Sequence, residues 1–132
     1  MKILTTATGL ALAALTFAPA GAEDAPSKGE AKLAKLLEGR VAGEPVNCVQ
    51  TFPGTKVSII DGTAIVVRRP GVVYVNVPLH PEDLDEDDAM VTRTFGTRLC
   101  SSDQVTTRDR NAGHYTGNIF LGEFVPYRRA DS

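Results

Sequence analysis

The stretch Val57 to Val77, VSIIDGTAIVVRRPGVVYVNV, constrains the fold of this chain more than any other. Its β-branched runs are interrupted twice, by Asp61-Gly62 and by Arg69-Pro70-Gly71. Apolar runs of strand length separated by such turn signals read as consecutive antiparallel strands. On the last run, Val73, Val75 and Val77 alternate with Val72, Tyr74 and Asn76, so the all-valine face is expected inside. A β-meander is the simplest architecture that places these runs side by side.

The rest of the chain extends that pattern. Ser27 with Glu30 three residues on forms a capping box, in which each side chain satisfies the other's free backbone amide. Leu33, Leu36 and Leu37 then share one face of a short helix, Lys28, Lys32 and Lys35 occupy the others, and Gly39 suits its C-terminal stop. A stripe this short is the mark of a helix packed on a sheet, with a membrane-surface or partner helix as the alternative. Gly43-Glu44-Pro45 breaks the chain, and Val46 to Thr51 reads as a first strand ahead of the Pro53-Gly54 turn. After the meander, Pro78 and Pro81 end strand structure because proline cannot donate to a ladder. Further strands are expected at Met90 to Phe95, Leu99 to Ser101, Gln104 to Arg108, His114 to Leu121 and Glu123 to Tyr127, with Asp109 to Gly113 as a turn. The expected fold is mainly β: a small antiparallel sheet or barrel-like meander with one N-terminal amphipathic helix and one disulfide.

The first 22 residues have a different character. Lys2 is their only charge, Ile3 to Phe17 is apolar, and Ala20-Gly21-Ala22 precedes Glu23. This is the pattern of a secretory signal peptide cleaved after Ala22, with Ala20 as the second choice. About fifteen apolar residues fall short of the roughly 20 a membrane-spanning helix needs, and the first cysteine, Cys48, is too far from the cleavage point for a lipoprotein. The expected layout is a signal peptide over 1–22, a polar tail and helix over 23–45, and a β domain over 46–132. The 110 residues left after cleavage suffice for one domain and no more.

Export changes the reading of the two cysteines. In an oxidising compartment Cys48 and Cys100 are most simply a disulfide. A catalytic or metal-binding thiol would want a CxxC spacing or a neighbouring histidine, and neither is present. Loss of Lys2 leaves 13 basic against 16 acidic residues, a formal charge of −3. That mild acidity, with scattered arginines, predicts no general affinity for nucleic acid or an anionic membrane, and removal of the apolar leader predicts no stable membrane insertion after cleavage. A periplasmic or secreted monomer is expected.

Taken together and in order, Leu36-Leu37-Glu38-Gly39-Arg40, Pro45-Val46-Asn47-Cys48, Ile60-Asp61 with Thr63-Ala64-Ile65, Tyr74-Val75-Asn76, Leu99-Cys100 and Leu121-Gly122-Glu123-Phe124-Val125-Pro126-Tyr127 resemble a family of small exported proteins of unknown function from Gram-negative proteobacteria. The resemblance covers roughly residues 33 to 127 and implies an exported location without implying any activity or catalytic residue. Members similar to this chain commonly carry two further cysteines, where this sequence reads Leu79-His80-Pro81-Glu82 and Asn118-Ile119-Phe120. Their joint absence implies that those two pair with each other, leaving Cys48 for Cys100.

The chain contains no Gly-x-Ser-x-Gly, no His-Glu-x-x-His, no phosphate-cradling glycine loop and no dinucleotide fingerprint. No catalytic residue, cofactor or metal site is therefore assigned. Its two histidines, His80 and His114, stand in polar segments and read as surface residues rather than as ligands. Ser101 and Ser102 beside Asp103 read as a turn rather than as part of a hydrolase triad. The run Glu82 to Asp88 holds six acids in seven positions, and self-repulsion is expected to keep it solvated and irregular. Asp83, Asp85, Asp87 and Asp88 alternate as calcium ligands do, but no glycine holds a central turn and no glutamate stands at the twelfth position. The expected function is a binding or structural module acting on an unknown protein or small ligand. Calcium binding through residues 82–88 is one alternative, and a periplasmic inhibitor presenting Pro78 to Ala89, or a hydrolase, is another.

Overall fold

The computed structural model describes residues 27–93 and 96–130; the expected signal peptide, the polar tail to Pro26 and the end of the strand expected at Met90 to Phe95 lie outside these residues. The first described element is α1 (Lys28–Leu36), and its N-terminus forms as the sequence predicts. The Glu30 amide donates to Ser27 Oγ at 3.2 Å and the Ser27 amide to Glu30 Oε2 at 3.3 Å. Gly39, at φ 74°, takes the left-handed turn that ends the helix and leads into β1 (Arg40–Ala42). β1 has no counterpart among the expected strands. Its three residues are too few to show a period, and pairing with the far end of the chain makes them a strand.

The meander forms as β3 (Lys56–Ile60), β4 (Ala64–Arg69) and β5 (Val72–Asn76), preceded by β2 (Cys48–Gln50). β10 (Phe124–Arg129) then returns to pair antiparallel with β5, and β1 pairs with β10, giving a five-stranded antiparallel sheet in the order β1-β10-β5-β4-β3. β2 pairs with β7 (Arg98–Cys100), and β6 (Asp88–Thr92), β8 (Val105–Asp109) and β9 (Tyr115–Ile119) make a three-stranded sheet in the order β6-β8-β9. The arrangement is mainly β with one α-helix among the described residues, and the sheets do not close into a barrel.

The five-stranded sheet is the middle layer. Ile60, Ala64, Val66, Val73 and Val75 form one buried cluster against Leu33 and Leu36 of α1 and Leu37 at its C-terminal cap. On the opposite face Ile59, Ile65, Val67 and Phe124 join Val49, Leu99, Val105 and Ile119 from the two smaller sheets. β4 and β5 are therefore covered on both sides, which corrects the one-sided expectation for the meander. Val73 and Val75 are inside, but so is Val72, while Val77 lies past the strand end and is 55% exposed.

Pro126 sits in β10 between two partners, where a missing N–H should interrupt a ladder. The Gly43 amide donates to the Pro126 carbonyl at 2.7 Å, and β1 has already ended at Ala42, so the proline ring meets no strand residue that needs a donor. A Cβ on Gly43 would stand only 3.2 Å from Pro126 Cγ. Glycine thus allows the chain to pass the ring.

Two cross-links hold the layers in register. Asn47 accepts from the Ser101 amide and Thr97 from the Thr51 amide, so the alternation of an antiparallel ladder places Cys48 and Cys100 at a non-hydrogen-bonded pair, where side chains approach most closely. They form the expected disulfide, with Cα atoms 4.0 Å apart. The second cross-link is Asn76, which is fully buried: its amide donates to the Gly122 carbonyl at 2.7 Å and its side-chain oxygen accepts from the Gly122 amide at 2.9 Å. A side chain here stands in for a strand, satisfying both backbone groups of Gly122. That position must be glycine, because a Cβ would come within 2.5 Å of the Val77 carbonyl oxygen.

Two stability outcomes follow from these cross-links. Asn76→Ala strands both polar groups of Gly122 in a buried setting and should cost about 2 kcal/mol or more in urea unfolding. Replacing Cys48 and Cys100 together by alanine opens a loop with a sequence separation of 52 residues and should lower stability by about 4 kcal/mol in the chain-entropy account. The same unfolding measurement, with and without reductant on the parent protein, checks it.

Candidate functional site

The turn after β7 is built around the disulfide. Because Cys100 occupies a non-hydrogen-bonded position, its amide points away from β2, and the Asp103 carboxylate accepts it at 2.7 Å while the Asp103 amide donates back to the Cys100 carbonyl. Ser101 and Ser102 are thereby held in the expected turn. This turn forms one wall of a groove of about 430 Å³, whose other wall is the end of β9 and the segment leading to β10. Ser101, Ser102, Asp103 and Gln104 face Asn118, Phe120 and Leu121 across a floor of Val105 and Ile119.

Phe120 gives this mostly polar-walled groove one apolar edge. Phe120 is 60% exposed, and the Leu79 amide donates to the Phe120 carbonyl at 3.0 Å, which lays the Val77 to Leu79 segment alongside it. Pro78 turns inward and is buried, so Val77 and Leu79 share the outward side, exposed by 55% and 72%. Three large apolar side chains in one short length of paired backbone are a surface feature that scattered single residues are not. Of the three, the sequence marks only Leu79, within the Pro78 to Ala89 segment expected to be presented. Alternation along the valine run predicts Val77 inside, and nothing local singles out Phe120.

The residues named by the sequence as candidate ligands are spread apart. Among the described residues no group of three or more histidine, cysteine or acidic side chains is gathered closely enough to hold a metal ion. Asp85 accepts the Asp87 amide at 2.9 Å in a local turn, Asp83 and Asp87 face solvent, and Asp88 turns into the protein. There Asp88 Oδ2 accepts from Thr116 Oγ1 at 2.9 Å, and Thr116 lies 2.8 Å from Thr107 Oγ1. The bulge in the β8–β9 pairing next to Thr107 and Arg108 supplies the extra residue that brings Thr116 to this face.

The acidic run is consequently less irregular than expected. Pro81–Asp83 forms a 3-10 turn, Leu84 is buried in the core, Gly62 donates its amide to the Leu84 carbonyl at 2.9 Å, and β6 begins at Asp88. Burial of Leu84, with the Asp88 carboxylate held by a hydrogen bond, outweighs the repulsion among the acids. Glu86 lies 3.5 Å from Lys32 of α1, across an exposed pair that adds little.

Neither histidine converges with a serine. His80 Nδ1 stands 3.3 Å from Glu82 at the surface, and the His114 carbonyl accepts from the Asp109 amide in the β8–β9 turn. Neither lines the groove beside the disulfide, and the one carboxylate that does, Asp103, is committed to a backbone amide. No imidazole or uncommitted carboxylate among the described residues therefore stands beside Ser101 or Ser102 in this groove.

Comparison with protein-family models, with curated protein sequences and with solved structures gave no match.

The β8–β9 turn is where titration should be visible. The Asp109 carboxylate accepts the Ala112 amide at 2.6 Å and the Asn111 amide at 2.9 Å, and these two bonds, with a smaller contribution from His114, hold its carboxyl below the ordinary value of 3.8. A lowered folded-state pKa means that the turn's stabilisation is fully present above pH 3.8 and is lost as the pH falls through the folded value. Amide hydrogen exchange at Asn111 and Ala112, taken relative to the intrinsic rate at each pH, should accordingly rise as the pH falls through the folded value. In Asp109→Ala it should be fast at neutral pH already.

Proposed function

We propose that this protein is an exported, disulfide-braced binding module that engages a partner protein through the groove beside Cys100 and the apolar strip of Val77, Leu79 and Phe120. The observation that carries the reading is that apolar strip: exposed Phe120 at the edge of the groove, with exposed Val77 and Leu79 on the backbone paired beside it. Such a surface stays exposed at a cost in solubility that a partner would remove by covering it. The segment around Leu79 is also presented rigidly, since Asn76 locks one end to Gly122 and buried Leu84 anchors the other to the β3–β4 hairpin. Preorganisation of this kind lowers the entropy lost on association.

Export is supported by three features. The N-terminal sequence has the charge and apolar pattern of a signal peptide, the disulfide belongs to an oxidising compartment, and no helix among the described residues is long and apolar enough to cross a membrane. The likeness to small exported proteobacterial proteins points the same way. Together they favour the periplasm or the exterior.

Site-specific photo-crosslinking tests the proposal. A photoreactive amino acid in place of Phe120, in protein expressed with its signal sequence, should give a discrete heteromeric adduct. The same probe at exposed Lys56, on the sheet edge, should not, and Leu79→Ser should remove the Phe120 adduct while leaving the thermal transition of the protein in place. The same adduct pattern from both positions would count against a binding role for the groove.

A further inference from the structure

The outward face of the three-stranded sheet carries a second concavity, of about 350 Å³, that the groove beside the disulfide does not share in except through Gln104. Strand alternation builds it. Met90, Val105 and Ile119 turn inward to the core, which leaves Val91, Thr106 and Arg108 on the outside, with Arg93 following β6. The β8–β9 bulge sends Thr116 inward to Asp88 and thereby returns Tyr115 to the outer face opposite Arg108.

The lining is cationic on a chain whose formal charge is −2. Two guanidinium groups and no carboxylate line it. The acids of the neighbouring strands are turned elsewhere, Asp88 inward onto Thr116 and Asp109 onto the amides of its own turn. Arg108 is steadied by a 3.1 Å bond from Nη1 to the Gly113 carbonyl, which leaves its other N–H groups available. Arg93 makes no hydrogen bond or ion pair with any described residue. Tyr115 offers a ring that is 54% exposed, and Gln104 and Thr106 add amide and hydroxyl groups between the charges.

We propose that this face binds a phosphorylated or carboxylated sugar. The guanidinium forks match the oxygen geometry of a phosphate or carboxylate. The Tyr115 ring supplies a flat apolar surface for the sugar ring, and Gln104 and Thr106 pair with its hydroxyls. A bare anion would use the two arginines alone and leave the rest of the concavity empty. A neutral sugar would forgo the charge complementarity.

The test is a ¹⁵N NMR titration of the disulfide-bonded protein with glucose 6-phosphate, N-acetylglucosamine 1-phosphate and glucuronate, alongside inorganic phosphate and glucose. At least one of the three anionic sugars should shift the amides of residues 91–93, 104–108 and 115–118 in a saturating manner, and should do so more tightly than inorganic phosphate or glucose. Arg93→Gln and Arg108→Gln should each weaken that binding about five- to tenfold. Arg93→Gln breaks no hydrogen bond or ion pair among the described residues, so its spectrum should otherwise match the parent and its result stands even if Arg108→Gln loosens the turn at Gly113. Absence of shifts with all three up to about 10 mM, equal affinity for inorganic phosphate, or binding unchanged in Arg93→Gln would each overturn the proposal.

Discussion

Burial of β4 and β5 on both faces is the constraint on which the rest of this structure depends. Ala64, Ile65, Val66 and Val67 have no solvent exposure, and they divide alternately between the helix side and the side of the smaller sheets. An antiparallel sheet usually leaves one face to water, and strands then alternate apolar with polar residues. Here the continuous valine and isoleucine run demands a cover on each side. The leucine stripe of α1 supplies one cover, and the two small sheets supply the other. Neither would have an apolar surface to rest on without this central pair.

The covering layers are tied down by short-range devices, each at a place where packing alone is thin. The disulfide joins strands of only three residues each, too short a ladder to persist without help. Asn76 closes the junction between β5 and the segment entering β10, where a glycine is needed to let backbones pass. At the start of α1, Gly29 is buried against the β3–β4 turn, and a Cβ there would collide with Thr63 and the Asp61 carbonyl. Asp61, Thr63, Asn76, Cys100 and Gly122 are thus each engaged in a contact that the fold itself requires. Structural contacts account for their spacing without any appeal to chemistry at a catalytic centre.

Both concave surfaces arise as by-products of this construction. The groove beside Cys100 exists because the turn capped by Asp103 and the β9–β10 connection stand apart over Val105 and Ile119. The cationic face exists because the small sheet spends its apolar side on the core, and a bulge decides which residues of β9 point outward. In each case the floor or backing is fixed by core packing, while the side chains at the rim are free of it. Rigid backing with unconstrained rims is the arrangement from which binding surfaces are made.

Strong local signals in the sequence determined the elements themselves. The capping box at Ser27 and Glu30, the turns at Asp61-Gly62 and Pro70-Gly71, the strand identities of the valine runs and the pairing of the only two cysteines each rest on interactions within a few residues or on simple counting. Tertiary structure decided what each element faces. Arg40–Ala42 became a strand only because β10 arrives beside it. The second face of β5 was buried by partners more than twenty residues away, and Asp88 left its acidic run to meet a threonine brought in by a bulge. Period and propensity describe one chain segment in isolation. Burial is a property of pairs of segments, and the free energy of covering an apolar face does not appear in either segment alone.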